Sequence, residues 1–147
     1  MDIDTITNLK KISQQLRKSV IRELSEAGSG HSAGCLGFAD VMAVLYFHAM
    51  RLDPENPNWE DRDIFVMSNG HYAPLLYATL AERGFFDKKE LANLRKFGSK
   101  LQGHPERGSL AGIETTSGPL GCGLSQAAGM AYSLQYLGGN PERFVYC

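Results

Sequence analysis

Three of the four histidines in this chain directly follow a glycine, as Gly30-His31, Gly70-His71 and Gly103-His104. Glycine lets the backbone adopt a positive φ or approach a ligand closely, and histidine donates, accepts or carries charge near neutral pH. A single pair of this kind is also typical of an ordinary turn beside a polar residue. Because the pairing recurs in three separate segments, we interpret it as a site for a polyanionic ligand, at which imidazoles bind oxygens and transfer protons.

A glycine-crowded stretch, Gly118–Gly123, follows the third pair and precedes a predicted helix. On its own this stretch would be interpreted as a flexible turn. Next to the histidine pairs it indicates backbone N–H and C=O groups that can approach a phosphate or a planar heterocycle, because glycine removes the side chain. Pro119 restricts the local path of the chain.

Helices are predicted on either side of the first pair. Apolar residues at spacings of three and four predict a long amphipathic helix from Ile6 to Leu24, which Asp4 or Thr5 can cap. A second helix is predicted from Phe38 to Tyr46, so that His31 lies in the loop between them. His48 follows in the same apolar pattern, and we assign it a structural role.

A strand, a loop and a helix are predicted around the second pair. Ile64–Met67 is a short apolar run typical of a buried strand, and Ser68–His71 lies at its carboxyl end. A helix is predicted from Leu75 to Gly84, followed by a short one over 88–97. In open α/β sheets, ligands bind at the carboxyl ends of strands and at the helix N-termini that follow.

The third pair lies in a predicted loop, because Pro105 disfavours helical geometry at the preceding residue. A helix rich in small residues is predicted from Leu124 to Gln135, and residues 144–147 open another strand. Since the sequence stops within that strand, we expect it to be a fragment or one half of an assembly.

Composition sets the protein class. A chain of 147 residues with 43% hydrophobic residues is of single-domain size, and its net charge of -1 creates no general attraction for nucleic acid or an anionic membrane. The three dispersed cysteines predict neither a disulfide framework nor a zinc site. No signal peptide or membrane-spanning run is found in the sequence, and we expect a cytoplasmic protein.

Several nucleotide and hydrolase motifs are excluded. The glycines around Gly28–Gly34 have the wrong spacing and follow a helix, which excludes a Rossmann fingerprint. Neither a P-loop nor a Gly-x-Ser-x-Gly hydrolase elbow occurs. A metal site built from the three Gly-His histidines is disfavoured, because metal histidines usually pair at helical spacing or along strands.

In their order and separation, a series of segments closely resembles the N-terminal part of transketolases: Gly28–Ser32, Asp53–Asp63, Ser68–His71, Leu101–Pro105 and Gly118–Ser125. The resemblance covers essentially the whole chain. It implies a three-layer α/β/α thiamine-diphosphate-binding fold with a parallel sheet, incomplete and helix-rich here. It also implies that residues 1–147 are the N-terminal portion of the diphosphate-binding domain.

The activity implied by this resemblance is transfer of a two-carbon ketol unit from a ketose phosphate to an aldose phosphate, with thiamine diphosphate and Mg²⁺. His31 would lie near the cofactor's thiazolium carbon and bind substrate, and His104 would bind the donor's terminal hydroxyl, so both are predicted as catalytic. His71 would contact the cofactor's diphosphate. The residues predicted to line the cofactor's rings through their backbone are Gly118, Pro119 and Leu120.

Departures from the family pattern matter as well. The metal motif of transketolases would follow the strand that starts at Phe144, so no Mg²⁺ ligand is predicted in this chain. The pyrimidine-binding and C-terminal domains are also absent, and the family supplies the activating glutamate from the partner subunit of a dimer. Cys122 stands where the family commonly has Gln. We therefore expect this chain to be inactive alone and to need further segments or a C-terminal subunit.

Two alternatives remain open at this point. One is a relative of 1-deoxyxylulose-5-phosphate synthase, although Ser68–His71 and Gly103-His104-Pro105 match transketolases better. The other is a non-catalytic truncated product or assembly module that retains only packing surfaces. Cofactor titration separates this second alternative from an enzyme, since binding to the folded state must stabilise it.

Overall fold

A computed structural model describes all 147 residues of the chain, Met1–Cys147. The predicted long helix is present as α1, Ile3–Ala27. Its cap was wrongly predicted: the Asp2 carboxylate accepts a hydrogen bond of 2.8 Å from the Thr5 N–H, so Thr5 is a donor within the first turn. The helix ends at Gly28, whose φ of 64° gives a left-handed C-terminal cap.

The other predicted helices are confirmed with shifted ends. Helix α2 spans Ala33–Val44 and continues into a π-helical turn, Leu45–Ala49, which contains the exposed His48. Helix α3 spans Ala73–Arg83 and α4 spans Cys122–Tyr136. The short helix predicted over 88–97 is a 3₁₀ helix, Lys88–Asn93.

Two short strands form a parallel sheet, β1 at Ile64–Phe65 and β2 at Val145–Tyr146. Both strands start beside Asp63, whose buried carboxylate accepts hydrogen bonds from the Arg51 backbone N–H and side chain and from the Phe144 N–H, each of 2.9 Å. Burial acts to raise the pKa of Asp63, but these hydrogen bonds hold it below its ordinary value. Because the strands are parallel, their carboxyl ends meet at one edge of the sheet.

Consecutive residues of β1 and the segment after it face different layers of the fold. Phe65 packs on Tyr46, with 5.5 Å between ring centroids, and belongs to the core formed with α1, α2 and α3. Val66 points the other way, towards Gly123 of α4. The sheet therefore lies between a helical layer and α4, which confirms the predicted α/β class with helices on both sides.

The main core lies in the helical layer. A cluster of 21 buried residues joins α1, α2 and α3 to β1, and every residue of α3 from Ala73 to Ala81 is buried. A helix segment that is buried on all sides lies at the centre of a layer. None of the helices has the length and apolar character required to cross a membrane.

Candidate active site

The second Gly-His pair lies directly after β1, at the edge where the parallel strands end. Gly70 opens a 3₁₀ turn, Gly70–Tyr72, that leads into α3. A Cβ at Gly70 would lie 2.5 Å from the carbonyl oxygen of Ser117, so no larger residue fits without moving the backbone. The Ser117 hydroxyl donates a 2.7 Å hydrogen bond to the Met67 carbonyl. These contacts join the segment before the glycine stretch to the end of β1.

The first and second Gly-His pairs meet in space. The His31 and His71 rings are 5.1 Å apart at their centroids and lie edge to face, and the His71 ring lies 4.6 Å from that of Tyr72. Gly34, in the first turn of α2, leaves room for the Tyr72 ring, because a Cβ at Gly34 would lie 2.0 Å from it. The start of α2 therefore packs directly on the turn that carries His71.

The third Gly-His pair is held beside the glycine stretch. The buried Tyr77 hydroxyl of α3 lies 2.9 Å from the carbonyl oxygen of Gln102 and 3.3 Å from that of His104. The Pro105 carbonyl accepts a 3.2 Å hydrogen bond from the Ser117 N–H. A Cβ at Gly118 would lie 3.8 Å from the His104 ring. His104 thus lies next to the glycine stretch, whereas His31 and His71 contact each other.

The glycine stretch forms the N-terminus of α4. Gly121 has a φ of 84° and, as a glycine, provides no side-chain cap of its own. Gly123 packs against Ser68, since a Cβ there would lie 2.6 Å from the Ser68 Cα. The Leu124 N–H donates a 3.1 Å hydrogen bond to the Ser68 hydroxyl. Pro119 and Leu120 are exposed at the edge of this junction.

A cavity of about 370 Å³ lies at this junction, between the carboxyl ends of both strands and the start of α4. Its lining includes Met67, Ser68, Leu120, Leu124 and Cys147. Neighbouring protein atoms partly desolvate the thiol of the exposed Cys147 and raise its pKa, although a hydrogen bond with Ser68 acts in the opposite direction. Larger cavities, of about 520 and 580 Å³, contain none of the predicted site residues.

The arrangement offers donors to an anion and no metal centre of its own. The N-terminus of α4, the exposed residues Pro119 and Leu120, and the imidazoles on neighbouring loops suit a phosphorylated ligand. The chain contains no group of three or more His, Cys, Asp or Glu side chains placed to hold a metal ion.

Sequence reasoning missed three residues that organise this region: Asp63, Tyr77 and Arg95. Asp63 directly precedes the apolar run of β1, which could have suggested a role at the start of the strand. Tyr77 lies in a mostly apolar part of α3, and nothing in that pattern identifies its hydroxyl as a support for the His104 loop. Arg95 contacts Ser29 through a turn that no local pattern predicts.

Comparisons with known proteins agree with this geometry. The family model for "Transketolase, thiamine diphosphate binding domain" matches residues 8–143. Mouse transketolase is 46% identical over 149 residues, covering 99% of this chain and 23% of the mouse protein. The 6-deoxy-6-sulfo-D-fructose transketolase subunit SqwG of Clostridium sp. (strain MSTE9) is 41% identical over 128 residues, covering 87% of this chain and 46% of that subunit.

A solved structure shows the same fold. Transketolase from Leishmania mexicana superposes with a TM-score of 0.85 at 38% identity, over 88% of this chain and 19% of that one. This chain therefore spans a small part of the length of full transketolases. The matched residues include the three Gly-His pairs and the glycine stretch described above. The chain belongs to the transketolase family, and its residues 8–143 match the family's thiamine diphosphate binding domain.

Proposed function

We propose that residues 1–147 form the N-terminal portion of the diphosphate-binding domain of a transketolase. With the remaining parts of the enzyme, this portion transfers a two-carbon ketol unit from a ketose phosphate to an aldose phosphate. The observation that carries the proposal is that the packed His31 and His71 rings lie next to Gly70, which itself packs against Ser117 and Gly118 at the carboxyl end of a parallel sheet. Ligands of open α/β sheets bind at this edge.

The residues present fit thiamine diphosphate. Helix α4 begins at this edge, and the positive end of its dipole favours a phosphate there, while its Cys122 and Leu124 N–H groups already donate to the Pro119 carbonyl and the Ser68 hydroxyl. The adjoining cavity has apolar walls at Met67, Leu120 and Leu124 that suit a planar ring. Bound thiamine diphosphate supplies the nucleophilic carbon and the electron sink for cleaving the carbon–carbon bond of a ketose.

The side chains have separate roles in this proposal. His31 hydrogen-bonds the substrate near its carbonyl and moves a proton there, and His71 donates to the diphosphate. His104 binds the donor's terminal hydroxyl. The edge-to-face packing of His31 on His71 places the two imidazoles within reach of one ligand. The backbone that lines the cofactor's rings is that of three residues: Gly118, Pro119 and Leu120.

Other groups come from outside this chain. A Mg²⁺ ion is ligated by another segment of the enzyme, and a second polypeptide or further domains supply the pyrimidine-binding part. The similarity to a transketolase named as a subunit supports such an arrangement. We expect a dimer that works in the cytoplasm on sugar phosphates of the pentose phosphate pathway.

A chimera tests the proposal. This chain replaces the matching N-terminal segment of Transketolase 1 of Escherichia coli, to which it is 42% identical over 127 residues. We expect ketol transfer that depends on thiamine diphosphate and Mg²⁺, measured by a coupled assay of the product aldose. A folded chimera that binds no thiamine diphosphate would contradict the proposal and favour a non-catalytic assembly module.

Variants of the chimera test the roles. We expect His31→Ala to lower kcat by at least about 100-fold with little change in cofactor affinity, since it removes a proton-transfer group. His71→Ala is expected mainly to weaken cofactor binding, by about tenfold, through the loss of a charge-assisted hydrogen bond. His48→Ala, at an exposed histidine of the same fold, is the matched control. The opposite pattern for His31 and His71 would refute the assignment.

A further inference from the structure

Arg95 is the only non-glycine residue with a positive φ, at 60°. Leu94 before it has φ −51° and ψ 126°, and the Lys96 N–H donates a 3.1 Å hydrogen bond to the Asn93 carbonyl. These values describe a type II turn, whose third residue is normally Gly or Asn. An arginine is unfavourable at this position, so its presence indicates a role for its side chain.

The turn holds the Arg95 backbone firmly. Leu94 and Leu101, on either side, are both buried in the helical layer. The Arg95 N–H donates a 2.8 Å hydrogen bond to the Leu101 carbonyl, which closes the segment between them. Phe97 at the tip of that segment is fully exposed. The Arg95 backbone is therefore fixed at the start of the segment 95–101, and its side chain extends from a fixed position.

The guanidinium of Arg95 contacts two of the histidine loops. Its Nη1 donates a 3.1 Å hydrogen bond to the hydroxyl of Ser29, two residues before His31. Its Nε and Nη2 cover Gly103, because a Cβ there would lie 2.9 and 3.0 Å from them. Gly103 does not have a positive φ, so its glycine identity is explained by this close approach and not by backbone conformation.

We propose that Arg95 is a positioning residue that sets the separation between the His31 loop and the His104 loop through Ser29 and Gly103. Its planar guanidinium contacts both loops at once, which the single ammonium of a lysine does not reproduce. The importance of this separation for catalysis rests on the proposed function. The contacts of Arg95 with Ser29 and Gly103 form a clamp between the two loops, and this clamp does not depend on that function.

The test measures backbone order in the whole chain by ¹⁵N relaxation, together with urea unfolding. Arg95→Asn and Arg95→Gly remove the clamp while tolerating the left-handed backbone, and Arg95→Lys keeps only the charge. We expect all three to lower the order parameters around Ser29 and Gly103 from about 0.85 to about 0.6. The urea midpoint should stay unchanged or rise in Arg95→Asn and Arg95→Gly, because strain is relieved. Lys96→Asn, at the next exposed residue, should change neither loop.

Gly103→Ala gives an independent test with Arg95 intact. Its methyl group would displace only the flexible end of the arginine, so the fold should be retained while the contact with Ser29 is lost. We expect the same loss of order near Ser29. Wild-type order in both loops of Arg95→Asn, or a uniform loss of order that follows global destabilisation, would overturn the proposal.

The two proposals fail in distinguishable ways. In the active chimera, Arg95→Asn should lower kcat by about tenfold with unchanged thiamine diphosphate affinity, since displaced catalytic groups lose rate before binding. If the chimera is inactive while the loops still loosen in the isolated chain, the proposed function fails and the clamp stands. If the chimera is active and Arg95→Asn alters neither kcat nor loop order, the clamp fails alone.

Discussion

Helices α3 and α4 both begin at the candidate site, yet they are held in different ways. Residues Ala73–Ala81 of α3 are all buried, whereas α4 buries only Gly123 and Ala127. Several large apolar residues of α4, including Leu124 and Tyr136, are exposed. The site therefore joins a densely packed layer to a helix that is positioned by a few close backbone contacts.

The largest expected effect tests the packing difference directly. Leu80→Ala in α3 removes a side chain with 0% exposure and should lower the free energy of unfolding by about 4 kcal/mol. Leu124→Ala in α4, where the side chain is 62% exposed, should change it by less than about 0.5 kcal/mol. Urea unfolding followed by circular dichroism measures both. Equal losses would show that the two helices are packed alike.

A second prediction concerns a carboxyl group that is buried in the dense layer without a hydrogen-bond partner. Glu23 of α1 is 1% exposed, and neither of its carboxylate oxygens has a hydrogen-bond partner. Burial raises its pKa from 4.5 to about 9. Between these values the unfolded chain releases the proton that the folded chain retains, so stability falls as pH rises, by about 1.4 kcal/mol per pH unit.

Glu23→Met should therefore stabilise the protein increasingly with pH. Its advantage at pH 7 should exceed that at pH 4.5 by about 3 kcal/mol, measured by urea unfolding across this range. Glu26→Met, at an exposed glutamate of the same helix, serves as the control and should show no such trend. Parallel pH profiles for Glu23→Met and the wild type would contradict the assigned pKa.

Two glycines of α4 sharpen the contrast within one helix. Gly123→Ala would place a Cβ 2.6 Å from the Ser68 Cα. We expect the free energy of unfolding to fall by about 2 kcal/mol, because the Ser68 backbone cannot move aside as a flexible side chain could. Gly129→Ala meets nothing within 4 Å and should stabilise the helix by about 0.8 kcal/mol. Thermal unfolding measures both changes. A neutral Gly123→Ala would mean that α4 is not positioned by this contact.

The smallest effect concerns the junction itself. Ser117→Ala removes the buried hydrogen bond to the Met67 carbonyl and should cost about 1 kcal/mol. Ser125→Ala, at an exposed serine of α4, should cost less than about 0.5 kcal/mol. The difference is measured by urea unfolding. If Ser117→Ala is also neutral, the loop and β1 are joined by backbone packing alone.

Local patterns predicted most of the elements but not their ends. The spacing of Ile6 to Leu24 predicts α1, because one face of a helix must be apolar to pack on the core. The cap was missed because Asp2, Asp4 and Thr5 all have suitable side chains, and only the actual hydrogen bond distinguishes them. The resemblance to transketolases was confirmed, while the roles of His31, His71 and His104 remain predictions.

The contacts of Arg95 and Asp63 could not be found from sequence, because their partners lie far along the chain. Nothing near Arg95 in sequence indicates a contact with Ser29, and an arginine in a type II turn contradicts turn preferences. Likewise, Asp63 is hydrogen-bonded to the N–H of Phe144 only because β2 returns beside β1.

Local sequence is enough to predict the order of helices and strands and to place each Gly-His pair outside the α-helices. This is because hydrophobic periodicity and glycine conformation act over a few residues. The contact of His31 with His71 and the position of His104 next to Gly118 follow from the tertiary structure alone. The reason is that distances between remote loops depend on how the helices pack on the sheet, and packing is a property of the whole chain.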